Sequence, residues 1–232
     1  MTEVAAGRPA PSRLCQEASS VDISVCIPCM NRSRMEWQGK LLYPLPVTVA
    51  VTARALSELG LKAEIIVADY GSTDWPPEEW IRAFADPIPA KVIPGVVGYT
   101  TGGGKNLAAW NAAAPILFFS EAEMLPTAYL IERGLEVTRD GRGYFPLYRR
   151  HPAPGSTEYV WGNGHGCCIV RREHWEQNHW YEAQGWGADE DTKFGNWFLE
   201  RGLIVRERIP MFIHQWHPLS ASKLASENKD AP

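Results

Sequence analysis

Four groups of residues in this chain of 232 have the types and spacing to do chemistry. Glu121 and Glu123 stand one residue apart after the apolar run Ile116 to Phe119, and in an extended chain positions i and i+2 project from the same face. Two carboxylates so placed repel unless a cation, a proton or a basic side chain neutralises them, and an oxygen-rich pair of this kind suits Mg²⁺ or Mn²⁺. His214 and His217 follow the extended stretch Ile209 to Ile213, and either could add an imidazole nitrogen to that cation. Asp189, Glu190 and Asp191 come after Gly185-Trp186-Gly187-Ala188 at a helix start, where exposed N–H groups favour acids. Capping accounts for one or two of them. The third, behind a glycine-framed Trp that can stack on a sugar ring, suggests a general base facing a hydroxyl. Each group also has a plain reading: solvated loop glutamates, histidines that satisfy local hydrogen bonds, and helix caps.

A fourth group is glycine-rich. Gly102-Gly103-Gly104-Lys105-Asn106 opens a helix and could bring backbone N–H groups and an ammonium near a phosphate. It lacks the Walker pattern, because Tyr99 stands where the upstream glycine belongs and Asn106 follows the lysine.

These residues need a frame, and the chain supplies alternating elements. Ile23 to Ile27 and Glu64 to Ala68 are strand-sized apolar runs closed by Pro28 and by the polar turn from Asp69 to Asp74. Val47 to Leu59 between them has helical potential, with Gly60 as its stop. Asp74 is expected to cap a helix through Pro76, Pro77, Glu78 and Glu79 with Trp80, Ile81 and Phe84 on its apolar face. Lys91 to Ile93 is a third strand, Gly104 to Ala114 a helix, and Ile116 to Phe119 a fourth strand. A helix to about Val137, short strands near Tyr144 and Gly166 to Val170, and a helix from Asp189 to Arg201 follow. The alternation predicts an α/β fold with a mostly parallel mixed sheet flanked by helices, whose ligands bind beyond the carboxyl ends of the strands.

Composition narrows the options. At 45% hydrophobic residues the chain can bury one large core, expected over residues 21–218, with flexible termini at 1–20 and 219–232. A net charge of −4 argues against nucleic acid as a partner. No transmembrane segment is expected, since no apolar run approaches the roughly 20 residues a bilayer requires, and no signal-peptide core appears. Five cysteines make no disulfide scaffold and point to a reducing, cytoplasmic setting, and Cys26 and Cys29 lack the second pair that a zinc site requires. Oligomeric state is not legible.

Taken in order, Ser24 to Arg32, Glu64 to Asp74, Gly102 to Asn111, Phe118 to Met124, Gly185 to Asp191 and His214 to His217 form a set. It resembles family-2-like GT-A glycosyltransferases, and its Gly-Trp-Gly-acid stretch resembles β-1,4-galactosyltransferase and chondroitin-polymerase relatives. The resemblance implies that Pro28, Asn31 and Arg32 line a nucleotide pocket, that Asp69 binds a uracil edge, and that Lys105 and Asn106 lie beside the nucleotide or sugar. Glu121-Ala122-Glu123 occupies the place of that family's D-x-D motif, so Glu121 helps to hold the donor and Glu123 is the direct metal ligand, Mn²⁺ or Mg²⁺. Each Glu reaches about 1.5 Å farther than the usual Asp. Matching by position makes Glu190 the base and Asp189 an acceptor ligand, with Trp186 and Gly187 against the acceptor and Asp191 able to substitute after a small shift. The implied reaction moves a sugar from a UDP-sugar donor to a carbohydrate or glycoconjugate acceptor with inversion, in the cytoplasm or at a membrane periphery; retention is a close variant. The competing readings are a sugar nucleotidyltransferase and an inactive carbohydrate-binding scaffold that uses the ten tryptophans for stacking.

Overall fold

In strand β1 (Ile23–Cys29) every residue is buried. Ile23, Val25, Ile27 and Cys29 join the apolar cluster on one side of the sheet and Cys26 the cluster on the other, as alternation along a strand covered on both faces requires. The two thiols of Cys26 and Cys29 therefore face apart and cannot share a metal. The computed structural model describes residues 21–96, 98–153, 155–162, 164–180 and 190–218. The terminal segments 1–20 and 219–232 lie outside the described residues, as do Trp186, Gly187 and Asp189, which the sequence assigned to the acceptor side and the catalytic acids.

A hairpin of β2 (Met35–Trp37) and β3 (Lys40–Leu42) precedes helix α1 (Pro44–Glu58). That helix starts three residues earlier than expected, because Pro44 and Pro46 lie in a first turn that needs no N–H donors. Next come β4 (Ala63–Asp69), a 3₁₀ turn at Pro77–Glu79, the short α2 (Ile81–Ala85) and β5 (Ala90–Pro94). The helix expected after Asp74 is reduced to these pieces. Asp74 does not cap it; its carboxylate accepts instead from Arg34 N at 2.7 Å and Trp75 N at 2.9 Å.

Helix α3 (Thr101–Trp110) takes Gly102, Gly103 and Gly104 into its first turn, since Thr100 Oγ1 accepts from Gly103 N at 2.9 Å and fixes the start. The chain continues through β6 (Ile116–Phe119), β7 (Met124–Leu125), α4 (Ala128–Arg139), β8 (Gly143–Tyr144), β9 (Leu147–Arg150) and β10 (Val160–Trp161). After β11 (Cys168–Arg171) come α5 (Arg172–Gln177), α6 (Glu190–Glu200), β12 (Ile204–Val205) and β13 (Arg208–His214).

Among the described residues the main sheet has the order β12-β8-β11-β6-β1-β4-β5. β1 pairs in parallel with both β4 and β6, β4 pairs in parallel with β5, and β11 runs against β6. The sheet is thus mostly parallel and mixed, with α1, α2 and α4 over one face and α3, α5 and α6 over the other. A second sheet, β10-β9-β13-β7, was not legible in the sequence. It places His214 opposite Met124, one residue from Glu123.

Candidate active site

Because β1, β4 and β6 are parallel, their carboxyl ends share one edge, and the loops beyond them form the candidate site. Two of those loops are stitched together. Asp69 accepts from Ser72 N at 3.0 Å and from the Ser72 hydroxyl, Ser72 Oγ accepts from Asn31 N at 2.8 Å, and Asn31 Oδ1 accepts from Thr73 N at 2.8 Å. Asn31 adopts a φ of 54°, the left-handed conformation that asparagine tolerates. Pro28 packs against α3, and only a glycine fits there: a Cβ on Gly104 would lie 2.6 Å from Pro28 Cβ.

Glu121 and Glu123 do not project side by side. Met124 N donates to Glu121 O at 3.2 Å, so the segment turns instead of extending, and Ala122 is anchored in the core. The paired-face geometry expected from their spacing is corrected: the two carboxylates head two linked half-sites.

Glu123 heads the first. Its Oε1 lies 2.6 Å from Arg32 Nε and 3.8 Å from His217 Nε2. His217 Nδ1 is 2.9 Å from Pro218 O; a carbonyl only accepts, so Nδ1 carries a proton and Nε2 is the ring nitrogen that faces Glu123. His214 lies beside it, ring centroids 5.3 Å apart, and Tyr148 stacks on His214 at 5.7 Å. Burial holds the His214 imidazole below its ordinary pKa, with Glu123 pulling the other way, which favours the neutral form. Gln215 N donates to Glu123 O at 2.7 Å and pins the histidine segment to the turn.

A carboxylate and imidazole nitrogens fit a divalent cation of the Mn²⁺ type. No group of three His, Cys, Asp or Glu ligands converges among the described residues. Glu123 and His217 are the pair that would hold such a cation.

Glu121 heads the second. The fully buried Lys105 sends Nζ to Gly166 O at 2.7 Å, to Asp191 Oδ1 at 3.3 Å and to Glu121 Oε1 at 3.6 Å. Trp180 covers this ammonium with its ring centroid 4.0 Å away. Burial pushes the Glu121 carboxyl up to about 7; Lys105 opposes the rise, and Asp191 and Glu123 add to it. Burial works against the charge of Lys105, yet Asp191 and Glu121 hold its pKa above the ordinary value. Gly166 leaves room for both acids: a Cβ there would press on Glu121 Oε1 and lie 2.8 Å from Asp191 Oδ2, so the carboxylates would have to shift.

Asn106 departs from its expected place beside a ligand. It is buried in the core, where Oδ1 accepts from Trp175 Nε1 and Trp180 N, both at 3.0 Å, and Nδ2 donates to Trp180 O at 2.9 Å. Asn106 thereby fixes Trp180 over Lys105. Glu190 opens α6 with Oε2 buried, and Asp191, about 100° further round the helix, is the acid that meets Lys105.

No protein-family model matches this chain, and no curated protein does. Solved structures do match. S. aureus TarS 1-349 in complex with UDP-GlcNAc superposes with a TM-score of 0.61 at 12% identity, over 87% of this chain and 60% of that one, so the chain spans three fifths of that structure's length. Glucosyl-3-phosphoglycerate synthase from Mycobacterium tuberculosis, in complex with Mn²⁺ and UDP-glucose, gives 0.59 at 17% identity over 90% and 76%. A mycobacterial protein gives 0.58 at 20% identity over 86% and 69%. The chain has the GT-A glycosyltransferase fold.

Within this GT-A frame several residues near the site escaped the sequence reading. Gly166 carried a signal, a glycine opening an apolar strand. Tyr148 and Trp180 carried none, because aromatic residues in a chain with ten tryptophans read as core.

Proposed function

We propose that this chain is a metal-dependent, family-2-like glycosyltransferase that moves a sugar from a UDP-sugar to the hydroxyl of a carbohydrate or glycoconjugate acceptor, with inversion. The observation that carries the reading is the meeting of Glu123, Arg32 and His217 at the edge where β1, β4 and β6 end, next to Glu121, Lys105 and Asp191. The solved neighbour with Mn²⁺ and UDP-glucose supports it.

Asp69 would receive the uracil N–H; each of its oxygens already accepts one hydrogen bond and keeps a further lone pair. Glu123 and His217 would hold Mn²⁺ or Mg²⁺, which when bound supplies charge stabilisation to the departing diphosphate. Glu190 would take the proton of the incoming hydroxyl as its oxygen bonds to the anomeric carbon and the bond to diphosphate breaks. Asp189, Trp186 and Gly187 are assigned to the acceptor side. Lys105, tied to Asp191, would keep the first turn of α6 in place. A reducing, cytoplasmic setting, soluble or at a membrane periphery, fits Cys26, Cys29, Cys167 and Cys168, all buried free thiols; no described helix is long and apolar enough to cross a membrane.

The test is UDP release from a panel of UDP-sugars, with and without Mn²⁺ or Mg²⁺, followed by NMR of the product anomer. Metal-dependent release is expected. Absence of release from every donor, or pyrophosphate release from UTP and a sugar phosphate, would sink the proposal.

A further inference from the structure

The acid best placed to bind a cation already has one. Arg32 Nε sits 2.6 Å from Glu123 Oε1, with the two side chains 18% and 10% exposed. Removing Arg32 would leave a poorly solvated carboxylate close to Glu121, a costly arrangement unless another positive charge arrives. We infer that Arg32 is an internal counter-ion that competes with the divalent cation for Glu123 and, once displaced, turns to the diphosphate of the donor. This rests on the reading of the site as UDP-sugar-dependent.

The local geometry suits such an exchange. The Arg32 backbone is held from both sides: its carbonyl accepts from Leu45 N at 3.0 Å, and the neighbouring Asn31 N and Arg34 N donate to Ser72 Oγ at 2.8 Å and Asp74 Oδ2 at 2.7 Å. Only the side chain has to move. It meets Glu123 through Nε, and its Nη1 bond to Asn31 O is long at 3.5 Å. A guanidinium also matches a phosphate, which its planar fork of N–H donors can grip through two parallel bonds. Guanidinium and cation both need the same carboxylate, so each weakens the other. A diphosphate that accepts the guanidinium would free Glu123 and strengthen metal binding, and by reciprocity the metal would strengthen nucleotide binding.

The experiment titrates Mn²⁺ into the full chain without nucleotide, read by electron paramagnetic resonance, for the parent, Arg32→Met and Arg32→Lys. Arg32→Met is expected to bind Mn²⁺ about tenfold more tightly or better, the scale of one charged hydrogen bond, with Arg32→Lys between the two. At saturating Mn²⁺, Arg32→Met is expected to bind UDP more weakly than the parent. Should Arg32→Met fold poorly, a larger Mn²⁺-induced rise in melting temperature than in the parent is the supporting result. Unchanged or weaker Mn²⁺ affinity in both variants overturns the exchange, as does Mn²⁺ binding that survives Glu123→Gln. Failure of the transferase reading would appear separately, as no UDP-sugar binding by any of these proteins at saturating Mn²⁺.

Discussion

The Nζ of Lys105 lies 3.3 Å from Oδ1 of Asp191 and joins α3 to the first turn of α6 through a side chain with no solvent exposure. Glu121 Oε1, 3.6 Å from the same ammonium, makes the junction a triad of one cation and two acids. Lys105→Met would leave two close carboxylates and the Gly166 carbonyl without their shared donor. Breaking a buried pair in this way costs about 3–5 kcal/mol. Urea unfolding should show that loss, and Glu121→Gln added to Lys105→Met should recover part of it by removing one negative charge.

Glu190 and Asp191 are neighbours in sequence to which the proposed function gives different duties. Glu190→Gln is expected to lower kcat by roughly 10² to 10⁴, the usual contribution of a general base, with Mn²⁺ affinity and unfolding midpoint near those of the parent. Asp191→Asn is expected to act mainly on stability, since it removes a charge partner of Lys105. Steady-state kinetics beside urea titrations separate the two, and the opposite pattern would reassign the base to Asp191.

Gly104 lets α3 approach β1. With an added Cβ 2.6 Å from Pro28 Cβ, and both groups on rigid elements, Gly104→Ala must push the helix or the strand end aside. A cost of about 1–3 kcal/mol follows for such overpacking. Because Pro28 leads into the Asn31 and Arg32 loop, UDP affinity measured by calorimetry should fall together with the unfolding midpoint.

His174 sets an acid limit far from the site. It is 8% exposed on α5 and packs against the rings of Trp197 and Phe198. Burial lowers its pKa from the ordinary 6.5, with Glu173 and Arg171 nearby acting in opposite senses. Below that ordinary value the unfolded chain takes up a proton that the folded chain resists. Stability attributable to a neutral His174 is thus complete above about 6.5 and is lost as pH falls toward the lowered native value. His174→Phe should flatten the decline in urea midpoint between about pH 7.5 and pH 5.5, without abolishing it, since His165 and His214 are also held low.

Much of the frame was legible in the residues. Ile116 to Phe119 is the observed β6 without change, the runs at Ile23 and Glu64 are the cores of β1 and β4, and the acids near position 190 do open a helix. Strands buried on both faces write themselves as continuous apolar runs, and parallel strands joined by helices put their carboxyl ends at one edge. That is why the strand-end acids stand out in the sequence.

The second sheet could not be read, because β7 and β10 have two residues each and show no period. Nor could the directions of Glu121 and Glu123, which the turn closed by Met124 N sends to separate partners. Asn106 looked like a ligand residue and became a clamp on Trp175 and Trp180, while Arg32 looked like a pocket wall and became the counter-ion of Glu123. Local sequence determined which chemical groups stand at the strand ends. Which of them face each other was decided by non-local pairing, since the direction of a side chain in a turn depends on contacts with segments far away along the chain.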